Sequence, residues 1–323
     1  MEFIAATAFL LAVVWGAALL RRGSLLAASA TVLVAAIVFG PAFLSLPGGP
    51  MPITIDRVLM VGLVVMYGVY RWLHWAPGRH LTAADIVLLV LIATLTANVF
   101  LRDYKINKSQ PLAYLTFFWM MPLAFYWVAR HIEFTERGLK YLFGAMALLG
   151  VYLAFTAVCE AKYKWGLVFP RYIVSPAFKE WLGRGRGPLL NPAGNGILMS
   201  MSLACGLTFW PHLRNPGKLL LAFVFIPVML LGIYYTLTRS AWMGGAAALL
   251  VMMAAYLPRQ WRMPSVAMVL AGALLYTAAN WEHLLAFKRD KELTAADTAD
   301  SASLRPILAY VATQMFLDRP LFG

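Results

Sequence analysis

The sequence predicts an all-α fold: a polytopic transmembrane helical bundle of ten to eleven spans with long extracytoplasmic loops. Three observations carry that prediction. Of 323 residues, 62% are hydrophobic and only 13% charged, a balance that soluble domains rarely tolerate. Mean hydropathy is +0.73. Apolar runs of about 17 to 23 residues recur along the whole chain, the length a helix needs to cross a hydrocarbon core of roughly 30 Å.

In chain order, the spans are expected near residues 2–20, 24–46, 58–73, 84–100, 111–129, 139–159, 194–210, 218–237, 240–257 and 265–281, each bounded by Gly, Pro or charge. An eleventh begins near Pro306 and is cut short at Gly323. The first run carries its arginines, Arg21 and Arg22, after the apolar stretch, which reads as a retained helix and not as a cleaved leader. Three regions follow from this map: N-terminal helices over 1–159, a basic, aromatic extracytoplasmic loop over 160–193, and a second transmembrane domain over 194–323.

Orientation follows from cations in the short loops. One alternate set holds Arg21, Arg22, Arg71, Arg79, Arg130, Arg137, Lys140, Arg214, Lys218, Arg259 and Arg262, against Arg57, Arg102, Lys105, Lys108 and Arg239 in the other. Eleven against five puts the first set in the cytoplasm and the N-terminus outside. Both long loops then lie outside. Loop 160–193 carries Lys162, Lys164, Arg171, Lys179, Arg184 and Arg186 against Glu160 and Glu180. It reads either as a solvated surface or as the cap of an outward cavity that receives an anion, arginine being favoured there because its planar fork matches phosphate oxygens. Tyr163, Trp165, Phe169, Tyr172, Phe178 and Trp181 interleave with the charges, which suits the headgroup region. Pro170, Pro176, Pro188 and Pro192 limit the loop to short helices. Loop 282–305 mixes Lys288, Arg289, Lys291 and Arg305 with five acids.

Several function classes are excluded. The acids gather in loops and at span ends, so the intramembrane relay usual in proton-coupled transport is missing. The chain has no P-loop, HExxH, GxSxG or acidic pair at ligand spacing, so neither metal nor cofactor is expected. Cys159 and Cys205 lie in apolar segments and read as small packing residues. The formal charge of +13 is spread over both sides of a membrane and does not imply nucleic acid.

Arg239 stands between two apolar runs, in Thr236-Leu237-Thr238-Arg239-Ser240-Ala241-Trp242-Met243-Gly244. Taken alone it is either a snorkelling hairpin arginine or a fixed cation beside a cavity. The segment resembles the T-x-S-R-G-A-W-x-G pattern of the O-antigen ligase and O-antigen polymerase superfamily, with Thr238 in place of Ser and Ser240 in place of Gly. "GPLLNPAGNGILMSM" is similar to the family's G-x-x-x-N-P-N-x-x-G entry into a span: Asn191, Pro192 and Gly196 match, and Ala193 replaces the second Asn. "SLRPILAYVATQMFLDRPLFG" resembles the stretch ending in P-L-x-G, matching at Arg305, Ala312, Pro320, Leu321 and Gly323. Together the three cover residues 187–323.

The resemblance implies a glycosyltransferase of the bacterial inner membrane, with a periplasmic active face. It would move a glycan from an undecaprenyl-diphosphate donor to an acceptor hydroxyl on lipid A core, another glycan or a protein, without metal and with inversion. Charge grows on the departing diphosphate, and fixed guanidinium groups stabilise it. Arg239 and Arg305 are the candidates for that role, Arg184 or Arg186 for first capture of the donor, and Arg171, Asn191, Thr238 and Ser240 for further substrate contacts. The family's His base is expected beyond Gly323, so residues 1–323 alone are expected to be an inactive fragment. His74, His80, His131 and His212 fall on the predicted cytoplasmic side, and His283 at a span end. The alternatives are a repeat-unit polymerase, a transporter of lipid-linked oligosaccharide, and a non-catalytic scaffold. A transporter often shows repeated halves, and no internal repeat is visible.

Overall fold

In the computed structural model, residues 24–40, 42–46, 53–101, 111–178, 180–279 and 295–318 are described. The first expected span, Arg21, Arg22, Arg102, Lys105, Lys108, Lys179, residues 282–294 with His283, and Pro320, Leu321 and Gly323 lie outside them.

Helix occupies the expected spans within the described residues except the second: expected over 24–46, it ends at Phe39, where Gly40 at φ +66° caps it, and Ser45–Leu46 is extended. The helices are α1 (Leu25–Phe39), α2 (Ile55–Trp72), α3 (Ala83–Leu101), α4 (Pro111–Arg130), α5 (Glu136–Ala161), α6 (Pro192–Leu207), α7 (Asn215–Tyr235), α8 (Arg239–Tyr256), α9 (Arg259–Ala279) and α10 (Ala295–Asp318). Of these, α3, α4, α5 and α7 are long and apolar enough to cross a membrane, and α1 is a shorter apolar helix. Among the described residues the strands are limited to one antiparallel pair, β1 (Ser45–Leu46) with β2 (Ile53–Thr54), in which Ser45 faces Thr54. The chain is an all-α polytopic helical membrane protein.

Two long helices contain a widened turn, at Leu115–Met120 in α4 and Leu221–Phe225 in α7. The second residue after each is a proline, Pro122 or Pro227. Proline offers no N–H and its ring crowds the carbonyl one turn back, and a local π turn relieves both problems while the helix continues.

The chain divides into two units, Met1–Leu149 with Phe169–Ser175, and Gly150–Val168 with Pro176–Gly323, so the boundary falls within α5. In the first unit, Leu25, Leu26 and Ala28 of α1, Met60, Leu63, Met66 and Tyr70 of α2, and Val128 near the end of α4 make the core. In the second, fully enclosed Leu153, Ala154 and Ala157 of α5 accompany Met199 and Leu203 of α6 and Met229 of α7.

The second unit packs through small residues, which let helix backbones approach closely. A Cβ on Gly196 would meet the Cβ of Ala241 at 2.3 Å, and one on Gly244 would meet the Ser200 hydroxyl at 3.3 Å. Backbones of α6 and α8 therefore approach closely. The Ser200 hydroxyl donates along α6 to the Gly196 carbonyl (2.9 Å) and lies 3.2 Å from the Ala241 carbonyl on α8. Between Val168 and α6, the connecting loop holds the 3-10 turn Arg171–Val174, and a further one, Trp165–Leu167, follows α5, in keeping with the prolines that rule out a long helix there.

Candidate functional site

The candidate site is the turn between α7 and α8. A helix end leaves backbone carbonyls without intrahelical partners, and within a membrane water does not make up the loss. Here the carbonyls from Ile233 to Leu237 each find a donor. The Trp242 indole N–H reaches the Ile233 and Tyr234 carbonyls, both at 3.2 Å, and its ring stacks on Tyr234 with centroids 5.6 Å apart. The Gly185 amide donates to the Tyr235 carbonyl at 2.8 Å. Arg184 supplies the rest: Nε and Nη2 donate to the Thr236 carbonyl at 3.2 and 3.0 Å, and Nη2 also reaches the Leu237 carbonyl at 3.2 Å. A guanidinium at a helix C-terminus is favoured by the helix dipole as well as by these bonds.

The turn itself is tight. Leu237 sits at φ +50°, a left-handed conformation that costs a non-glycine residue about 1–2 kcal/mol. The Thr236 hydroxyl turns back to the Ile233 carbonyl at 2.7 Å, and the Thr238 hydroxyl donates to the Thr236 carbonyl and accepts from Arg184, both at 3.1 Å. Arg184 is 6% exposed and Thr236 is 0% exposed.

Arg184 is held in turn by its own segment. The Gly185 carbonyl accepts from the Asn195 side-chain amide at 2.9 Å, and a Cβ at Gly185 would meet the Ala157 Cβ at 2.6 Å. Gly187, at φ +56°, faces Asn195 so closely that a Cβ would lie 2.8 Å from its carboxamide. Both glycines are therefore required by space. Arg186, 0% exposed, pairs through Nε with Glu160 Oε1 at 2.9 Å, and its Nη1 donates to the Phe178 and Glu180 carbonyls at 2.6 and 2.5 Å. Glu160 Oε2 accepts from the amides of Arg186 (3.0 Å) and Gly187 (3.1 Å), so both carboxylate oxygens are occupied.

The expected site residues thus fall into distinct places. Thr238 is the N-cap residue of α8 and belongs to the turn. Asn191 is the N-cap of α6: its Oδ1 accepts from the Ala193 and Gly194 amides at 3.0 and 3.2 Å, with Pro192 at the first helical position. Arg171 is exposed, in the first unit. Arg305 lies in α10, and its side chain is outside the described residues. Arg239 is exposed at the first position of α8, with exposed Ser240 beside it. A cation at that end of a helix opposes the dipole, an arrangement that an anion converts from unfavourable to favourable.

From Ser240 a groove of about 310 Å³ runs between α6 and α8, lined by Ile197, Ser200, Met201, Ala204, Ala241 and Gly244. It is almost wholly apolar. Its polar lining atoms come from the two serines and the backbone.

Glu160, Asn195 and Thr236 were not among the sequence candidates. One signal was available: Gly-Arg-Gly-Arg-Gly over 183–187, in which alternate glycines mark a backbone pressed against its neighbours.

An integral membrane protein of helices, with an arginine exposed at a helix start and the surrounding motif spent on building the turn, defines the class. Residues 222–323 match the family model described as O-antigen ligase, which makes the chain consistent with membership of the O-antigen ligase superfamily and supports glycan transfer of the ligase or polymerase type. No curated protein and no solved structure matches the chain.

Proposed function

We propose that this protein transfers a glycan from undecaprenyl diphosphate to an acceptor hydroxyl at the periplasmic face of the bacterial inner membrane. The acceptor is lipid A core, another glycan or a protein. The observation that carries the proposal is Arg239: within the matched region, it is exposed at the positive end of α8, where an apolar groove begins. An anionic headgroup fits the first feature and an isoprenoid chain fits the second.

In this reaction the acceptor oxygen forms a bond to the anomeric carbon from the face opposite the diphosphate, and configuration inverts. The old C–O bond breaks with its electron pair leaving on the diphosphate. The hydroxyl proton passes to a base. Arg239, with Arg305 of α10, stabilises the charge that grows on the departing oxygen, at no reorganisation cost if the guanidinium is already in place. Ser240 is proposed to contact the donor, and Arg184, Arg186, Asn191 and Thr238 serve that contact by fixing the backbone around it.

The test is transfer by the full-length protein from a lipid-diphosphate-linked glycan in proteoliposomes. Arg239→Ala should lower the rate by about two decades, near 3 kcal/mol in barrier, and Arg305→Ala similarly, with lysine at either position recovering part of the loss. Unchanged transfer in both alanine variants would favour the scaffold reading. Movement of lipid-linked glycan across the bilayer with no new glycosidic bond would favour the transporter.

A further inference from the structure

We infer that Glu160 is a positioning residue: through Arg186 and the 184–187 backbone it fixes the turn that presents Arg239. The inference rests on the reading of Arg239 given above for its catalytic consequence, but not for its structural content.

The chain of contacts is short and has no solvent-filled step. Glu160, one residue before the end of α5, is 0% exposed and grips Arg186 by side chain and main chain, and Gly187 by main chain. That fixes the path of the strap from Arg184 to Gly187. Between those two bonds to Glu160 and the α7 end stands only Gly185, whose amide holds the Tyr235 carbonyl while its own carbonyl is held by Asn195. Arg184 then closes on Thr236, Leu237 and Thr238, the three residues immediately before Arg239. Two of these carry their own constraints, the left-handed Leu237 and the enclosed Thr236. A left-handed leucine relaxes to ordinary backbone unless its surroundings prevent it. The surroundings here are the strap.

Chemistry also explains why the pair is Glu with Arg and not a hydrophobic contact. Arg186 is itself enclosed and spends Nη1 on the Phe178 and Glu180 carbonyls, and a carboxylate is the one partner that both neutralises the guanidinium and accepts two backbone amides. Lysine at 186 presents a point charge on a flexible stem and reproduces neither the Nε bond nor the double carbonyl contact. Glutamine at 160 retains an acceptor and loses the charge.

The experiment reads the turn directly. In the full-length protein with Cys159→Ala and Cys205→Ala, Thr236→Cys is labelled with a membrane-impermeant thiol reagent in proteoliposomes, and Met199→Cys, equally enclosed in the same unit, reports general loosening. Glu160→Gln and Arg186→Lys should each raise Thr236→Cys labelling by about tenfold or more, with Met199→Cys still protected. The double variant Glu160→Gln/Arg186→Met leaves no unpaired buried charge, so it keeps the fold while releasing Phe178 and Glu180. It should raise labelling as well. In the transfer assay the same variants should lower kcat by about tenfold with donor KM within about twofold, the split expected when a group is displaced from transition-state charge but the lipid still binds.

Unchanged Thr236→Cys labelling in the single and double variants would overturn the inference, whatever the transfer assay gives. So would equal loosening at Met199→Cys, which would make the pair a general support of the fold. Loosening confined to Thr236→Cys in a protein whose unmodified form transfers no glycan would uphold the inference and sink the transferase reading.

Discussion

Asp85 in the first unit and Glu160 in the second are both enclosed carboxylates paired with an arginine, and their neighbours differ in a way that separates local from long-range work. Asp85 stands at the start of α3. It accepts from the Thr82 amide (2.6 Å), the Thr82 hydroxyl (2.7 Å) and the Tyr126 hydroxyl (2.9 Å), and pairs with Arg130. Two of those four partners lie three residues away, the arrangement by which an acid closes its own helix N-terminus. The Arg130 side chain stays 13% exposed and continues to the His80 carbonyl. Glu160 accepts nothing from its own helix. The bonds of its carboxylate go to a segment 26 or 27 residues ahead, and the Arg186 side chain is 0% exposed. One acid therefore closes the start of a helix, and the other ties the end of α5 to the loop whose Arg184 and Gly185 hold the turn that carries Arg239.

This contrast is open to direct attack. Glu160→Ala removes the counterion of a fully enclosed guanidinium and should cost about 3–5 kcal/mol of unfolding free energy, read by denaturant titration in mixed micelles. Arg239→Ala touches an exposed side chain and should leave stability within about 0.5 kcal/mol while raising the transfer barrier by about 3 kcal/mol. Stability and activity should thus part company at Arg239. Asp85→Asn retains an oxygen acceptor, and Arg130 keeps both water and the His80 carbonyl, so the loss should be about 1–3 kcal/mol with no effect on donor KM. A larger loss at Asp85 than at Glu160 would erase the distinction. Asn191→Ala, which deletes only the N-cap of α6, should cost about 1 kcal/mol, and Asn191→Asp should restore most of it because an aspartate also accepts from the first-turn amides.

Much of the fold was legible because one quantity, the length of each apolar run, dictates helices that satisfy their own backbone in lipid. Runs near 84–100, 139–159 and 218–237 became α3, α5 and α7 with ends shifted by at most three residues. The π turns before Pro122 and Pro227 were not foreseen, since a proline inside an apolar run signals a disturbance but not its form. At the site, the motif pointed to Arg239 and to the turn. What it left hidden was the division of labour among arginines. Arg184, Arg186 and Arg239 look alike in the sequence, yet two are enclosed, and most of what encloses them is backbone carbonyl, which every residue possesses and no motif records. Glu160 was read as one of two acids offsetting a basic loop, because its partner is set by how the loop returns to α5. Likewise the motif shows that a Trp stands at 242 but not that its indole N–H serves the Ile233 and Tyr234 carbonyls of α7.

Arg239 recognising a lipid-borne diphosphate is the claim to which all the others lead, and ligand affinity measures it without requiring an acceptor or a base. Farnesyl diphosphate, with farnesol as the uncharged control, can be titrated into the purified full-length protein in nanodiscs by calorimetry. The diphosphate should bind more tightly than farnesol by about tenfold or more, and Arg239→Ala should remove most of that difference. Equal affinity for the two ligands, or an Arg239→Ala protein that still distinguishes them as the unmodified one does, would contradict the account.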